Sequence, residues 1–132
     1  MSDLPITFEP TQQKTAHDCA VACLRMLLEV EYSAVVAAFP KRAKVHSVGA
    51  SDRQILNAAR RLGHTLRFTT DGDLSEIVGM LQVKDQTNEV HTVILARGCV
   101  YEPGMNLFWT DVAAFLLSGH YRVCGVFVRG DE

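Results

Sequence analysis

The run Cys19-Ala-Val-Ala-Cys-Leu-Arg-Met-Leu-Leu28 is apolar apart from Arg25. A helix-like segment of that kind must be buried against other elements, so it fixes the centre of whatever fold forms. It opens on a cysteine. A thiol in a helix's first turn faces backbone N–H groups that lack an intrahelical partner and the positive end of the helix dipole, and both favour thiolate over thiol. Gln13 lies six positions upstream, where a side-chain N–H can join the backbone N–H of Cys19 in holding an oxyanion. Acyl transfer needs a third part, a base, which comes from elsewhere in the chain.

His91 is the candidate. It precedes the apolar stretch Thr92-Val-Ile-Leu-Ala96, which ends at Arg97-Gly98 and is followed by Cys99-Val-Tyr-Glu102-Pro-Gly104. This reads as two strands joined by a tight turn, with a histidine opening the first and a carboxylate closing the second. In an antiparallel pair those positions share one end of the ladder, so Glu102 is expected to orient the imidazole.

Gln13, Asp18-Cys-Ala-Val-Ala-Cys-Leu-Arg-Met-Leu-Leu28, His91-Thr-Val-Ile-Leu95 and Tyr101-Glu-Pro-Gly104 together resemble the bacteriocin-processing, double-glycine-leader peptidases. These are small papain-like cysteine peptidases, often fused to export transporters. Gly49-Ala-Ser-Asp-Arg-Gln-Ile-Leu-Asn-Ala-Ala-Arg-Arg-Leu-Gly63 is similar to that family's second helix, and the resemblance runs from residue 11 to residue 128. Three positions depart: Ala20 replaces a glycine, Thr92 an aromatic residue and Glu102 an aspartate. The resemblance implies a peptidase cutting after small residues of the Gly-Gly type, with Cys19 as nucleophile, His91 as base, Gln13 in the oxyanion hole and Glu102 as the third member. It further implies a peptide or protein substrate, glycine-ended among the options; with no transporter fused in this sequence, the expectation is action either with separate export proteins or in other work on glycine-ended substrates.

Two other readings keep the residues and change the role. A papain-like deamidase or acyl transferase would use the same nucleophile on glutamine or a thioester. A catalytically silent module would grip a glycine-rich leader without cutting it.

Structure explains several other residues. Asp18, immediately before the helical run, is expected to cap it. Cys23, Cys99 and Cys124 are expected to be small buried hydrophobes, and His46, His64 and His120 to face solvent. His17 is a rival base, but a residue only two positions from Cys19 in the chain has poor geometry for its sulfur. His17, Cys19, Cys23 and His91 match no standard zinc spacing, so neither metal nor other cofactor is expected.

Composition narrows the classes. The 132 residues, 48% of them hydrophobic, suffice for one core and not two, so the expectation is a single domain over residues 1–132. With 13 basic against 15 acidic residues and no basic stripe carrying aromatics, nucleic acid is an unexpected partner. Apolar stretches stop well short of the roughly 18 residues of a membrane span, and Met1-Ser-Asp-Leu-Pro-Ile6 lacks a secretory pattern. Four cysteines without a disulfide-like framework suit a reducing compartment. A soluble, cytoplasmic protein is the expectation.

The order of elements reads as helices first and sheet later. A short helix over Tyr32–Phe39 is stopped by Pro40. Another begins at Ser51, whose hydroxyl and the Gln54 side chain form a capping box, and ends at Gly63. Thr65–Thr69 alternates like a strand. Asp71-Gly-Asp73 leads into an expected helix around Leu74–Leu81. The polar loop Lys84–Glu89 precedes His91. A helix over Thr110–Leu117 and a strand over Tyr121–Arg129 follow. This is an α+β pattern, expected to be a papain-like cysteine peptidase fold with N-terminal helices packed on a C-terminal antiparallel sheet.

Overall fold

The computed structural model describes residues 18–40 and 51–130. Gln13, His17 and His46 lie outside the described residues.

The chain is α+β. Among the described residues, four helices accompany a six-stranded antiparallel sheet: α1 (Cys19–Leu28), α2 (Tyr32–Ala38), α3 (Asp52–Arg61), β1 (Leu66–Thr69), β2 (Val78–Lys84), β3 (Val90–Ala96), β4 (Cys99–Glu102), β5 (Leu107–Trp109), α4 (Val112–Ser118) and β6 (Arg122–Arg129). The strand order is β1-β6-β2-β3-β4-β5.

Helix α1 is buried almost all round, as its composition demands: Ala20 to Leu24 and Met26 to Leu28 are all buried. It packs with α2 and α3 on one face of the sheet, against Met80, Ile94, Tyr101 and Phe127. Helix α4 covers part of the other face, where Phe115 joins Leu81, Val83, Val93, Leu95, Val100 and Val126. The alternation along β3 therefore sends Ile94 toward α1, and Val93 and Leu95 toward the α4 side.

Helix α3 has its capping box: the Ser51 hydroxyl accepts from the Gln54 N–H at 3.2 Å, and the Gln54 side chain accepts from the Ser51 N–H at 2.9 Å. Past its end Gly63 adopts φ +87, a left-handed conformation that costs glycine little. Asp111 caps α4 by accepting from the Ala113 N–H at 3.1 Å.

The segment expected to be helical around Leu74–Leu81 is instead a turn followed by β2. Asp73 accepts from both the Ser75 N–H and the Ser75 hydroxyl, an Asx turn that competes with helix initiation. Beyond it β2 is the central strand, paired with β6 on one side and β3 on the other. Gly79 gives β2 room at β6, where an added Cβ would stand 2.2 Å from the Phe127 carbonyl oxygen.

Candidate active site

Helix α1 begins beside the first half of β3. Pairing with β4 covers only Ile94 to Ala96, so on that edge the main chain of Thr92 is left to α1. The Cys23 thiol donates to the Thr92 carbonyl at 3.5 Å. One turn earlier, the sulfur of Cys19 is met by the N–H and hydroxyl of Thr92 and by the N–H of Ala20. Two thiols at helical i, i+4 spacing thus take up the main-chain groups of one strand residue.

Cys19 is partly exposed and Cys23 fully buried. Burial pushes the Cys19 thiol up, and the donors from Thr92 and Ala20 pull against it without overcoming it. The Cys23 thiol is pushed well above its ordinary value, by burial first and then by Cys19 and Glu102 nearby. Desolvation outweighs the helix-start effect that favours thiolate, so both cysteines rest as thiols at neutral pH.

Asp18 does not cap α1 with its side chain. It is fully buried, its carboxylate accepts from the Tyr32 hydroxyl, and only its backbone carbonyl serves the helix, accepting from the Ala22 N–H at 3.0 Å. The pair ties the start of α1 to the start of α2, and burial together with this carboxylate pushes the Tyr32 hydroxyl up.

His91 sits one residue before Thr92, opposite Val83 on β2. Its ring leaves β3 on the α4 side, where it meets the Tyr121 ring edge-on with centroids 5.6 Å apart. Nε2 lies 3.2 Å from Oδ2 of Asp85. No hydrogen bond joins His91 to Cys19 among the described residues; the nucleophile candidate touches the next residue along instead.

Glu102 departs from its expected place. In the β3–β4 register Ile94 faces Tyr101 and Leu95 faces Val100, which puts Glu102 level with Val93, short of His91. Its carboxylate turns back into its own loop, accepting from the Gly104 N–H at 3.0 Å and the Met105 N–H at 2.6 Å. It still lies close enough to Cys23 and Tyr121 to add to the upward shifts that burial imposes on both. Asn106, in the same loop, accepts from the Tyr101 hydroxyl at 2.7 Å.

The carboxylate that does meet His91 belongs to the β2–β3 loop. Asp85 is held well below the usual carboxylate range, first by the Thr87 hydroxyl and next by His91. Reading Leu74–Leu81 as helix hid this residue: once β2 is a strand, Asp85 follows its last residue and lies at the same end of the β2–β3 ladder as His91. Asp85, Glu89 and His91 also bring one ligand atom each within 4.8 Å of one another.

Of the other cysteines, Cys99 is buried as expected, whereas Cys124 is partly exposed. Cys124 borders a cleft of about 430 Å³ on the α3 side, lined also by Asp52, Phe68, Gln82, Lys84 and Val90. Gln82, directly opposite Thr92 on β2, donates to Asp52 at 2.7 Å. His120 faces solvent, and His64 is half-buried. No helix among the described residues is long and apolar enough to cross a membrane. The chain matches no protein-family model and no curated protein.

Proposed function

We propose that this chain is a papain-like thiol hydrolase, related in kind to the double-glycine-leader peptidases, that cleaves a peptide bond after small residues. The observation that supports it is the meeting of Cys19 with Thr92: the first residue of α1 has its sulfur against the residue that follows His91. His91 is the neighbour of that contact in β3, with its side chain leaving the opposite face of the strand.

In this reading the Cys19 proton passes to a ring nitrogen of His91 as Sγ bonds to the substrate carbonyl carbon and the π pair moves to oxygen. The oxyanion is held by the Cys19 N–H and the Gln13 side chain. Collapse breaks the C–N bond and the imidazolium returns its proton to the leaving amine; water, giving a proton to His91, then attacks the thioester carbonyl, the C–S bond breaks, the acid product leaves and the proton returns to Cys19. Because burial holds Cys19 as a thiol, deprotonation accompanies attack and the ring must turn toward the sulfur when substrate arrives. The site of action is the cytoplasm, and the partners are glycine-ended peptides or proteins together with separate export proteins. A transferase differs from this in its acceptor, an amine in place of water, and a deamidase in the bond it cleaves, a glutamine side-chain amide that releases ammonia.

One observation favours a second reading, a catalytically silent peptide-binding module: the His91 ring rests on Asp85 and Tyr121 and makes no bond to the thiol. The test is incubation with a Gly-Gly peptide aldehyde and with a Gly-Gly aminomethylcoumarin peptide. Hydrolysis expects an adduct mapped to Cys19 and coumarin release that both Cys19→Ala and His91→Ala abolish. Peptide binding with neither adduct nor release establishes the silent module.

A further inference from the structure

We propose that Asp85 is the positioning residue that fixes the tautomer of His91, in the place that sequence alone gives to Glu102. This rests on the thiol-hydrolase reading above.

The two oxygens of Asp85 have separate partners. Oδ1 organises the loop, accepting from the Thr87 N–H at 2.8 Å, the Thr87 hydroxyl at 2.6 Å and the Glu89 N–H at 3.1 Å. Oδ2 faces His91 Nε2 at 3.2 Å. A carboxylate accepts and cannot donate, and Asp85 is held ionised by these donors, so in the neutral ring Nε2 must carry the proton. Nδ1 is then the nitrogen with a free lone pair, the one that takes the proton of Cys19 once the ring has pivoted about its Asp85 contact toward the sulfur.

The loop is built to hold this arrangement. Asp85 and Glu89 close it through the Asp85 N–H to the Glu89 carbonyl at 3.0 Å, and the Asn88 N–H donates to the Asp85 carbonyl at 3.0 Å with Asn88 at φ 67. Tyr121 bounds the ring on the α4 side. The ionisable groups facing His91 are Asp85 and Glu89 from the loop and Tyr121 ahead of β6, with Glu102 of β4 acting on Tyr121 from beyond and Cys19 of α1 on the far side of Thr92. Of the carboxylates, Glu102 is committed to its own turn.

Asp85→Asn separates the two roles. The amide oxygen can keep the loop's donors while the amide NH₂ now faces Nε2, which must accept; the proton moves to Nδ1 and the base is lost. The experiment records the ring-nitrogen shifts of His91 by long-range ¹H–¹⁵N correlation at about pH 8.5, above the ordinary imidazole range, with His91→Gln to assign the signal. Wild type is expected to show the Nε2–H tautomer and Asp85→Asn the Nδ1–H tautomer. On the Gly-Gly aminomethylcoumarin peptide, Asp85→Asn should lower kcat by about 100-fold or more with KM little changed, as the wrong tautomer does in the serine triad. A His91 signal unchanged by Asp85→Asn overturns the proposal whatever the activity. So does Glu102→Gln shifting the tautomer in place of Asp85→Asn. Turnover persisting in Cys19→Ala instead removes the hydrolase reading, and the tautomer measurement judges Asp85 independently of it.

Discussion

The sulfur of Cys19 is met by both the N–H and the hydroxyl of Thr92, the residue that follows His91 in β3. Those donors favour thiolate, yet burial outweighs them and the thiol is pushed up. Iodoacetamide without substrate is therefore expected to modify partly exposed Cys124 at least as fast as Cys19 at neutral pH, and fully buried Cys23 last. Labelling of Cys19 should accelerate only as pH rises above the ordinary cysteine range. Peptide mapping of a pH series checks this, and rapid Cys19 labelling at pH 6 counts against it.

The raised thiols also give stability a pH dependence with a definite sign. A folded-state value above the unfolded one means that the native state holds its proton longer. The contribution is complete below the unfolded value, about 8.5 for cysteine, and is lost as pH rises through the folded value. Cys19 and Cys23 both behave this way, as do Tyr32, Tyr101 and Tyr121. Each proton held only by the native state gives a slope of about 1.4 kcal/mol per pH unit. Denaturant unfolding between pH 8 and 10.5 should show this loss, with a shallower slope in Cys23→Ala. Equal slopes in the two proteins refute it.

Tyr32→Phe tests the link between α1 and α2. The variant leaves the fully buried Asp18 carboxylate without the Tyr32 hydroxyl. A hydrogen bond to a charged group contributes about 1.5–3 kcal/mol, so stability should fall by that order in urea unfolding at pH 7. Because the contact positions the start of α1, Cys19 labelling should change as well.

Gly79→Ala tests the close pairing of β2 with β6. Its new methyl would stand 2.2 Å from the Phe127 carbonyl oxygen and 2.9 Å from a Val126 methyl. Strand separation of this kind costs about 1–3 kcal/mol or more. Gly130→Ala, where nothing lies nearer than 3.4 Å, is the control and should be close to neutral.

Local signals carried much of the architecture. The Ser51 and Gln54 side chains announce α3, Pro40 marks the end of α2, and Arg97-Gly98 marks the β3–β4 turn; all three rest on backbone chemistry within a few residues. The central strand β2 was illegible for a physical reason. A strand covered on both faces is nearly continuous in apolar residues, and Leu74, Ile77, Val78 and Leu81 also fit helical spacing. The candidate site inherits this ambiguity, since the carboxylate beside His91 belongs to the loop β2 opens. Register, which places Glu102 level with Val93, depends on the loop length and pairing of the hairpin and is not written in either residue.

Strand order imposes a timetable on synthesis. β1 has β6 as its hydrogen-bonded neighbour, and β6 also supplies the second partner of β2. Leu66–Thr69 must leave the ribosome, and wait, until Arg122–Arg129 follows it out. Through that interval β2 presents an open, apolar edge, so the nascent chain is most exposed to mispairing just before its final strand closes the sheet.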